Sequence, residues 1–215
     1  VRLIHQAMPE LSLDQLDLRT GFLDHEIALP MMATGMTGGP DTATEINRAL
    51  AVICEKNGIP FGLGSQRVTT TAPETVESFR VRQYAPSLCL VGNIGVNQAR
   101  DMGSEAVRKL FDEIEADYMA IHLNPAMELI QPGAEADSDF SNGFDTIARL
   151  VDALEGRVLI KECGCGLAPS LVKKLSSLGV RAVDVSGVGG TSWVRVEALR
   201  AEGEQADLGF LYDDW

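Results

Sequence analysis

The feature that most constrains this chain is a rhythm. Short apolar, β-rich runs recur at 27–33, 58–63, 88–92, 118–123, 158–161 and 182–185, and the first three intervals between their starts are 31, 30 and 30 residues. Each run is followed by a stretch with helical spacing of apolar residues, at 42–57, 74–84, 97–115, 144–154, 168–178 and 193–200. Ile46, Leu50 and Ile53 mark the first of these; Ala106, Leu110 and Ile114 mark the third. Alternation at this interval predicts βα units around a parallel sheet. The run LCLVGNIG at 88–95 is apolar almost throughout, as a strand covered on both faces must be.

A doubly wound sheet and a closed barrel share that rhythm, and the polar residues separate them. They gather at the C-terminal ends of nearly every run: Thr37, Ser65 to Arg67, Asn93, His122 with Asn124, Lys161 with Glu162, and Ser186. In a barrel all strand tops converge on one site. In an open sheet only the tops at the switch point do. The expectation is therefore an α/β fold of the (β/α)8 TIM-barrel type. An open six-strand barrel would leave two edges bare, so about two final βα units are expected to lie outside this chain. The whole of 1–215 reads as a single incomplete barrel domain, with 1–23, including LSLDQLDL, as an N-terminal arm. The stretch 131–143, rich in Gly, Asp and Ser, reads as a long loop above the fourth strand.

Composition removes several classes of function. The formal net charge is −13 and no basic cluster interrupts it, which argues against nucleic-acid binding. No apolar run approaches the ~20 residues of a membrane span. No secretory signal is evident at the start, and Cys54, Cys89, Cys163 and Cys165 lack any C-x-x-C pairing. That pattern predicts no zinc site and suits a reducing cytoplasm.

Five stretches carry chemistry. Gly35 to Gly39 would let the backbone approach a flat or anionic ligand, although a tight βα turn explains a lone glycine pair at least as simply. Ser186 to Thr191 follows a strand and precedes a helix, so its N–H groups could hold a phosphate or a ring edge. It lacks both the Rossmann pattern and the P-loop lysine. Lys161 closes a buried strand, a costly place for a cation unless it meets an anion or does chemistry. His122 and Asn124 alternate on one face of their strand, with Glu128 beyond Pro125 placed to hold Mg²⁺; a core role for His122 stays equally open. Ser65, Gln66 and Arg67 offer hydroxyl, amide and guanidinium to a phosphate, or form an ordinary surface loop.

Taken in order, MTGG (36–39), GLGSQR (62–67), ESFRVRQYAP (77–86), NIG (93–95), IHLNP (121–125), DFS (139–141), KECGCG (161–166), DVSGVGGTSW (184–193) and the terminal DDW resemble the FMN-dependent type 2 isopentenyl-diphosphate isomerases. The resemblance spans nearly the whole chain. It implies FMN across the barrel mouth, touched by Gly35, Met36, Thr37, Ser65, Asn93, Lys161, Ser186 and Thr191. It implies a small-molecule diphosphate approached by Ser65, Gln66, Arg67 and the residue at Met127, with Mg²⁺ on Glu128. Lys161 and His122 are the expected catalytic residues. The implied reaction interconverts isopentenyl and dimethylallyl diphosphate, needs FMN reduced by NADPH, and takes place in a homo-oligomer, tetrameric or octameric by analogy. Among the departures from the family pattern, the family usually has Gln where this chain has Met127, and a thioether relays no proton. That departure keeps open another FMN-dependent oxidoreductase on the same barrel, and a non-catalytic phosphate-binding barrel stands as a third reading.

Overall fold

A computed structural model describes residues 4–39, 41–131, 137–186 and 190–213. Five strands, β3 (Phe61–Gly62), β4 (Leu90–Gly95), β5 (Tyr118–Leu123), β6 (Val158–Glu162) and β7 (Ala182–Asp184), form one parallel sheet in sequential order. A separate antiparallel hairpin, β1 (Thr20–Phe22) and β2 (His25–Ile27), precedes it. Helix α1 (Asp41–Lys56) leads into β3, and the β3–β4 connection is a run of 3₁₀ turns. Helices α2 (Val96–Met102), α3 (Ser104–Glu113), α4 (Pro125–Ile130), α5 (Gly143–Ala153) and α6 (Pro169–Ser177) form the later crossovers, and α7 (Trp193–Arg200) and α8 (Glu204–Tyr212) follow β7. Sequential parallel order with helical crossovers is what the βα rhythm predicts. It is the order of a barrel wall, as opposed to the reversed order of a doubly wound sheet.

The two faces of the sheet differ, and the difference follows from the period of two. Leu90, Ile94, Met119, Ile121, Val158 and Ile160 pack outward in the large core shared with the helices. Val91, Ala120 and Leu159 pack on the inner face with Cys89, Tyr118, Met32 and Ala182. Continuing up the inner face by twos gives Asn93, His122, Lys161 and Asp184. Along the ladder His122 pairs with Lys161, and Lys161 with Asp184. The inner face is therefore apolar below and polar at the C-terminal ends.

Several sequence expectations need correction. The run 27–33 is not one strand: its start belongs to the hairpin, and only Ala33 bridges to Phe61. Pro30 has no N–H to offer a ladder, and a tight bond from Met31 N–H to Leu29 C=O bends the chain there. The expected helix 74–84 is a succession of 3₁₀ turns at Pro73–Phe79 and Arg82–Tyr84. Thr75 and Ser78 hydroxyls donate to carbonyls three residues back, which competes with α-helical bonding. The expected helix 97–115 is divided at Gly103, whose φ of +79° ends α2 and starts α3. Helix α8 was not expected at all. Helix α4 leads directly into the expected loop 131–143, whose residues 132–136 lie outside those described. Residues 4–20 of the expected arm are exposed throughout.

Candidate active site

The site is assembled where the strand tops cross the segment 33–37. Gly35 and Gly64 permit that crossing: a Cβ on Gly35 would lie 1.9 Å from Leu63 O, and one on Gly64 would lie 2.4 Å from Thr37 O. Gly64 N–H donates to Thr37 C=O at 3.0 Å across the same junction. These glycines are required by close backbone approach, so they serve the scaffold whatever ligand they also meet.

Asn93 is the hub. Its Nδ2 donates to Leu63 O at 3.1 Å, which turns Oδ1 toward His122 Nδ1 at 3.0 Å. An oxygen can only accept there, so Nδ1 carries the proton and Nε2 presents a lone pair. Burial, with Lys161 and then Arg67 adding their positive charge, pulls the His122 pKa down to about 3. His122 is therefore a neutral imidazole at physiological pH, an acceptor of fixed tautomer at its outward nitrogen.

Beneath Asn93 sits Gln66, fully buried, whose Oε1 accepts from Asn93 N–H at 3.0 Å. Gln66, expected at the substrate, braces β4 through Oε1 and keeps a buried Nε2 with no hydrogen-bond partner among the described residues. Its neighbours point differently: Ser65 is exposed and caps the turn that carries Arg67, and Arg67 lies close enough to influence both His122 and Glu128. Glu128, 2% exposed, accepts from Asn124 Nδ2 at 3.0 Å. Its pKa is raised by burial, against the opposing pull of that hydrogen bond and of Arg67. Lys161 is half-buried, with Nζ 3.3 Å from Glu162 O. Gly35, Asn93, Lys161 and Asp184 line one small inner cavity of about 60 Å³.

Other expected residues stand apart from this group. Thr37 Oγ1 donates to Asn47 Oδ1 at 2.6 Å. Met36 is exposed, as are Ser186, which has a φ of +50°, and Thr191; the intervening 187–189 lie outside the described residues. Met127 packs with Ala126, Ile130, Val194 and Ala198 in a small apolar cluster between α4 and α7.

Sequence reasoning missed Asn47 and Asp184, and gave no role to Glu162, which it placed at a strand top. Asn47 holds Thr37 and donates to Ser78 O, and its signal was a polar residue on the apolar face Ala43–Ala51–Cys54 of α1. Glu162 Oε2 accepts from the N–H groups of Gly164, Cys165 and Gly166, folding the loop above β6 around one carboxylate. Asp184 faces Lys161 in register, a position readable from the alternation Ala182, Asp184, Ser186.

A parallel βα sheet with amide, imidazole, ammonium and carboxylate collected at its C-terminal edge defines an enzyme-like site of the barrel kind, suited to an anionic ligand. Comparison with known proteins makes the assignment narrower. The chain is 42% identical over 224 residues to the isopentenyl-diphosphate delta-isomerase of Pyrococcus furiosus, covering all of this chain and 56% of that protein. It is 43% identical to the proteins of the same name from Methanosarcina barkeri and a Synechococcus species, covering 60% and 62% of them. Along its whole length the chain is similar to curated isopentenyl-diphosphate delta-isomerases, and it spans about three-fifths of the length of those relatives. No family model matches it. Among solved structures, the aldolase QR15 superposes with a TM-score of 0.46 at 12% identity over 75% of this chain and 68% of that one. A mandelate oxidase with benzoyl-formic acid superposes with 0.34 at 16% over 94% and 75%. Both are too distant to carry an argument.

Proposed function

We propose that the protein interconverts isopentenyl and dimethylallyl diphosphate, with FMN and Mg²⁺ at the site described and NADPH as the source of reducing equivalents. The observation that carries this reading is the convergence of Arg67, Asn93, His122, Glu128 and Lys161, drawn from four successive βα units of a chain similar to these isomerases. No helix among the described residues is long and apolar enough to cross a membrane.

The donor set fits a flavin. Lys161 supplies a cation and Asn93 an amide on the cavity that Gly35 also lines. The enclosed part, about 60 Å³, takes a ring edge only, since a drug-sized ligand needs roughly 300 Å³ or more. The rest of FMN would lie across the open strand tops, toward Ser65, Met36, Thr37, Ser186 and Thr191. Glu128 fits Mg²⁺ as a single buried carboxylate, because Mg²⁺ keeps several waters and shares its shell with substrate phosphates. Bound and reduced, FMN supplies an electron-rich ring able to exchange a proton.

The chain's own residues do the remainder. Arg67, with Ser65, binds diphosphate oxygens, an anion for which a guanidinium fork is suited. Burial raises the Glu128 pKa, so a cation at this carboxylate is favoured, and a bound metal would share it with the diphosphate. His122, neutral and held by Asn93, presents Nε2 as an acceptor to a substrate or ring N–H or O–H, and does not act as an imidazolium acid. Lys161 stabilises negative charge on the ring. The apolar residues below the polar layer exclude water from a carbocation formed when the double bond is protonated.

The test is anaerobic incubation of the intact protein with isopentenyl diphosphate, FMN, NADPH and Mg²⁺. Formation of dimethylallyl diphosphate supports the reading, and none in the presence of bound reduced flavin rejects it. Met127 motivates one second reading, an FMN-dependent oxidoreductase acting on a different substrate. Substrate-coupled flavin reoxidation without isomerisation is its signature.

A further inference from the structure

The opposite end of the sheet holds a second group of chemistry-bearing residues that the proposed reaction does not use. His25 lies on β2, Cys89 immediately before β4 and Asp117 immediately before β5. They are far apart in sequence, yet one ligand atom of each lies within 4.8 Å of the other two. Cys89 is four residues below Asn93 on the same strand, about 13 Å along it, so the cluster is distinct from the strand-top site.

The partners of these groups are informative. Asp117 Oδ2 accepts from Arg82 Nη2 at 2.9 Å and from Leu90 N–H at 2.8 Å, which anchors the carboxylate. Among the described residues, neither Asp117 Oδ1, nor Cys89 Sγ, nor either ring nitrogen of His25 makes a hydrogen bond; the His25 ring only packs edge-on against Tyr118 at 6.1 Å. A buried thiol, an imidazole and an anchored carboxylate thus converge with their donor atoms uncommitted. An adjoining cavity of about 170 Å³ is lined by His25, Cys89, Glu26 and Glu55, with room for a water or a fourth carboxylate oxygen.

We propose that His25, Cys89 and Asp117 bind a divalent transition metal of zinc's class at the closed end of the sheet. Sulfur, nitrogen and oxygen donors in this ratio suit zinc or cobalt better than magnesium or calcium, which take oxygen. Tetrahedral bonds of about 2.0–2.3 Å put ligand atoms some 3.3–3.8 Å apart, so the three must close by about an ångström. His25 is the movable member, because it rides on a half-exposed hairpin outside the main sheet. Burial first, then the charge of Asp117, pushes the Cys89 thiol up to about 12, with Arg82 opposing. The metal therefore displaces a proton as it binds, and binding strengthens with pH. Its role is a staple: it ties the hairpin to β4 and β5, where Asp24 already bonds Tyr118 Oη at 2.7 Å and pairs with Arg181.

The test is a titration of metal-stripped protein with Co²⁺. The expected result is a thiolate-to-cobalt charge-transfer band saturating at one Co²⁺ per chain, displaced by Zn²⁺. It is lost in Cys89→Ser and retained in Cys163→Ser and Cys165→Ser. His25→Ala, which removes a half-buried ring packed only on the edge of Tyr118, loses the band at the same metal concentration. Zinc at a hundredfold excess over Kd raises the Tm of the wild type by about 5–10 °C and that of His25→Ala by far less. A wild type that shows no band, or a band that survives Cys89→Ser or His25→Ala, overturns the proposal.

Discussion

Replacing Asn93 by alanine tests the hub on which the site geometry rests. The side chain donates to Leu63 O and accepts from His122 Nδ1–H, and all three groups lie in the buried junction of β3, β4 and β5. Alanine leaves one buried acceptor and one buried donor without partners, each costing about 1–3 kcal/mol. The expected loss is therefore about 4 kcal/mol, a large share of the roughly 5–15 kcal/mol that holds a domain together. For a chain of this size that corresponds to a Tm lower by about 10 °C. Urea unfolding measures the energy, and nitrogen NMR of the imidazole measures the tautomer. Wild-type His122 should show a protonated Nδ1, and the variant a mixture or the opposite tautomer. A variant within about 1 kcal/mol of wild type, or a wild-type ring protonated at Nε2, would refute the reasoning.

Three further outcomes follow from the same structure. Because the folded pKa of His122 is depressed to about 3 from 6.5, the unfolded chain takes up a proton that the folded one refuses as pH falls below 6.5. Stability should therefore drop with falling pH between about 6.5 and 3, at up to ~1.4 kcal/mol per unit, and His122→Gln should flatten that slope in denaturant titrations. Glu128→Gln removes a carboxylate whose charge is disfavoured by burial, so above neutral pH its Tm should equal or exceed that of wild type while Mg²⁺-dependent turnover disappears; a lower Tm would contradict the burial argument. Gly64→Ala forces a Cβ to 2.4 Å from Thr37 O, a backbone atom that cannot swing away, and should cost about 3 kcal/mol or more by thermal melting.

How much of this could be read in the sequence depends on the kind of interaction. Strands β4 to β7 and their order follow from local periodicity, and the inner polar layer Asn93, His122, Lys161 follows from strand ends and alternation. The failures are those where a side chain overrides its neighbours. Pro30 stops a strand that its apolar flanks call for, Thr75 and Ser78 draw a helix into 3₁₀ turns, and Gly103 splits another. Roles were harder than positions. Gln66 in a polar triplet looks like a ligand contact, and only the fold shows it buried under Asn93. Met127 follows Pro125 beside Glu128, yet helical geometry turns it into an apolar cluster away from the carboxylate. The cluster of His25, Cys89 and Asp117 has no sequence spacing to announce it, because three separate elements bring it together.

The central claim is that the polar inner layer forms one site for one flat anionic cofactor, and an FMN titration followed by flavin absorbance and fluorescence tests it most directly. The account predicts saturation at one FMN per chain in the intact protein, with affinity reduced at least tenfold in Lys161→Ala and little changed in Met127→Ala. Absence of any spectral change, or equal affinity in wild type and Lys161→Ala, would contradict it.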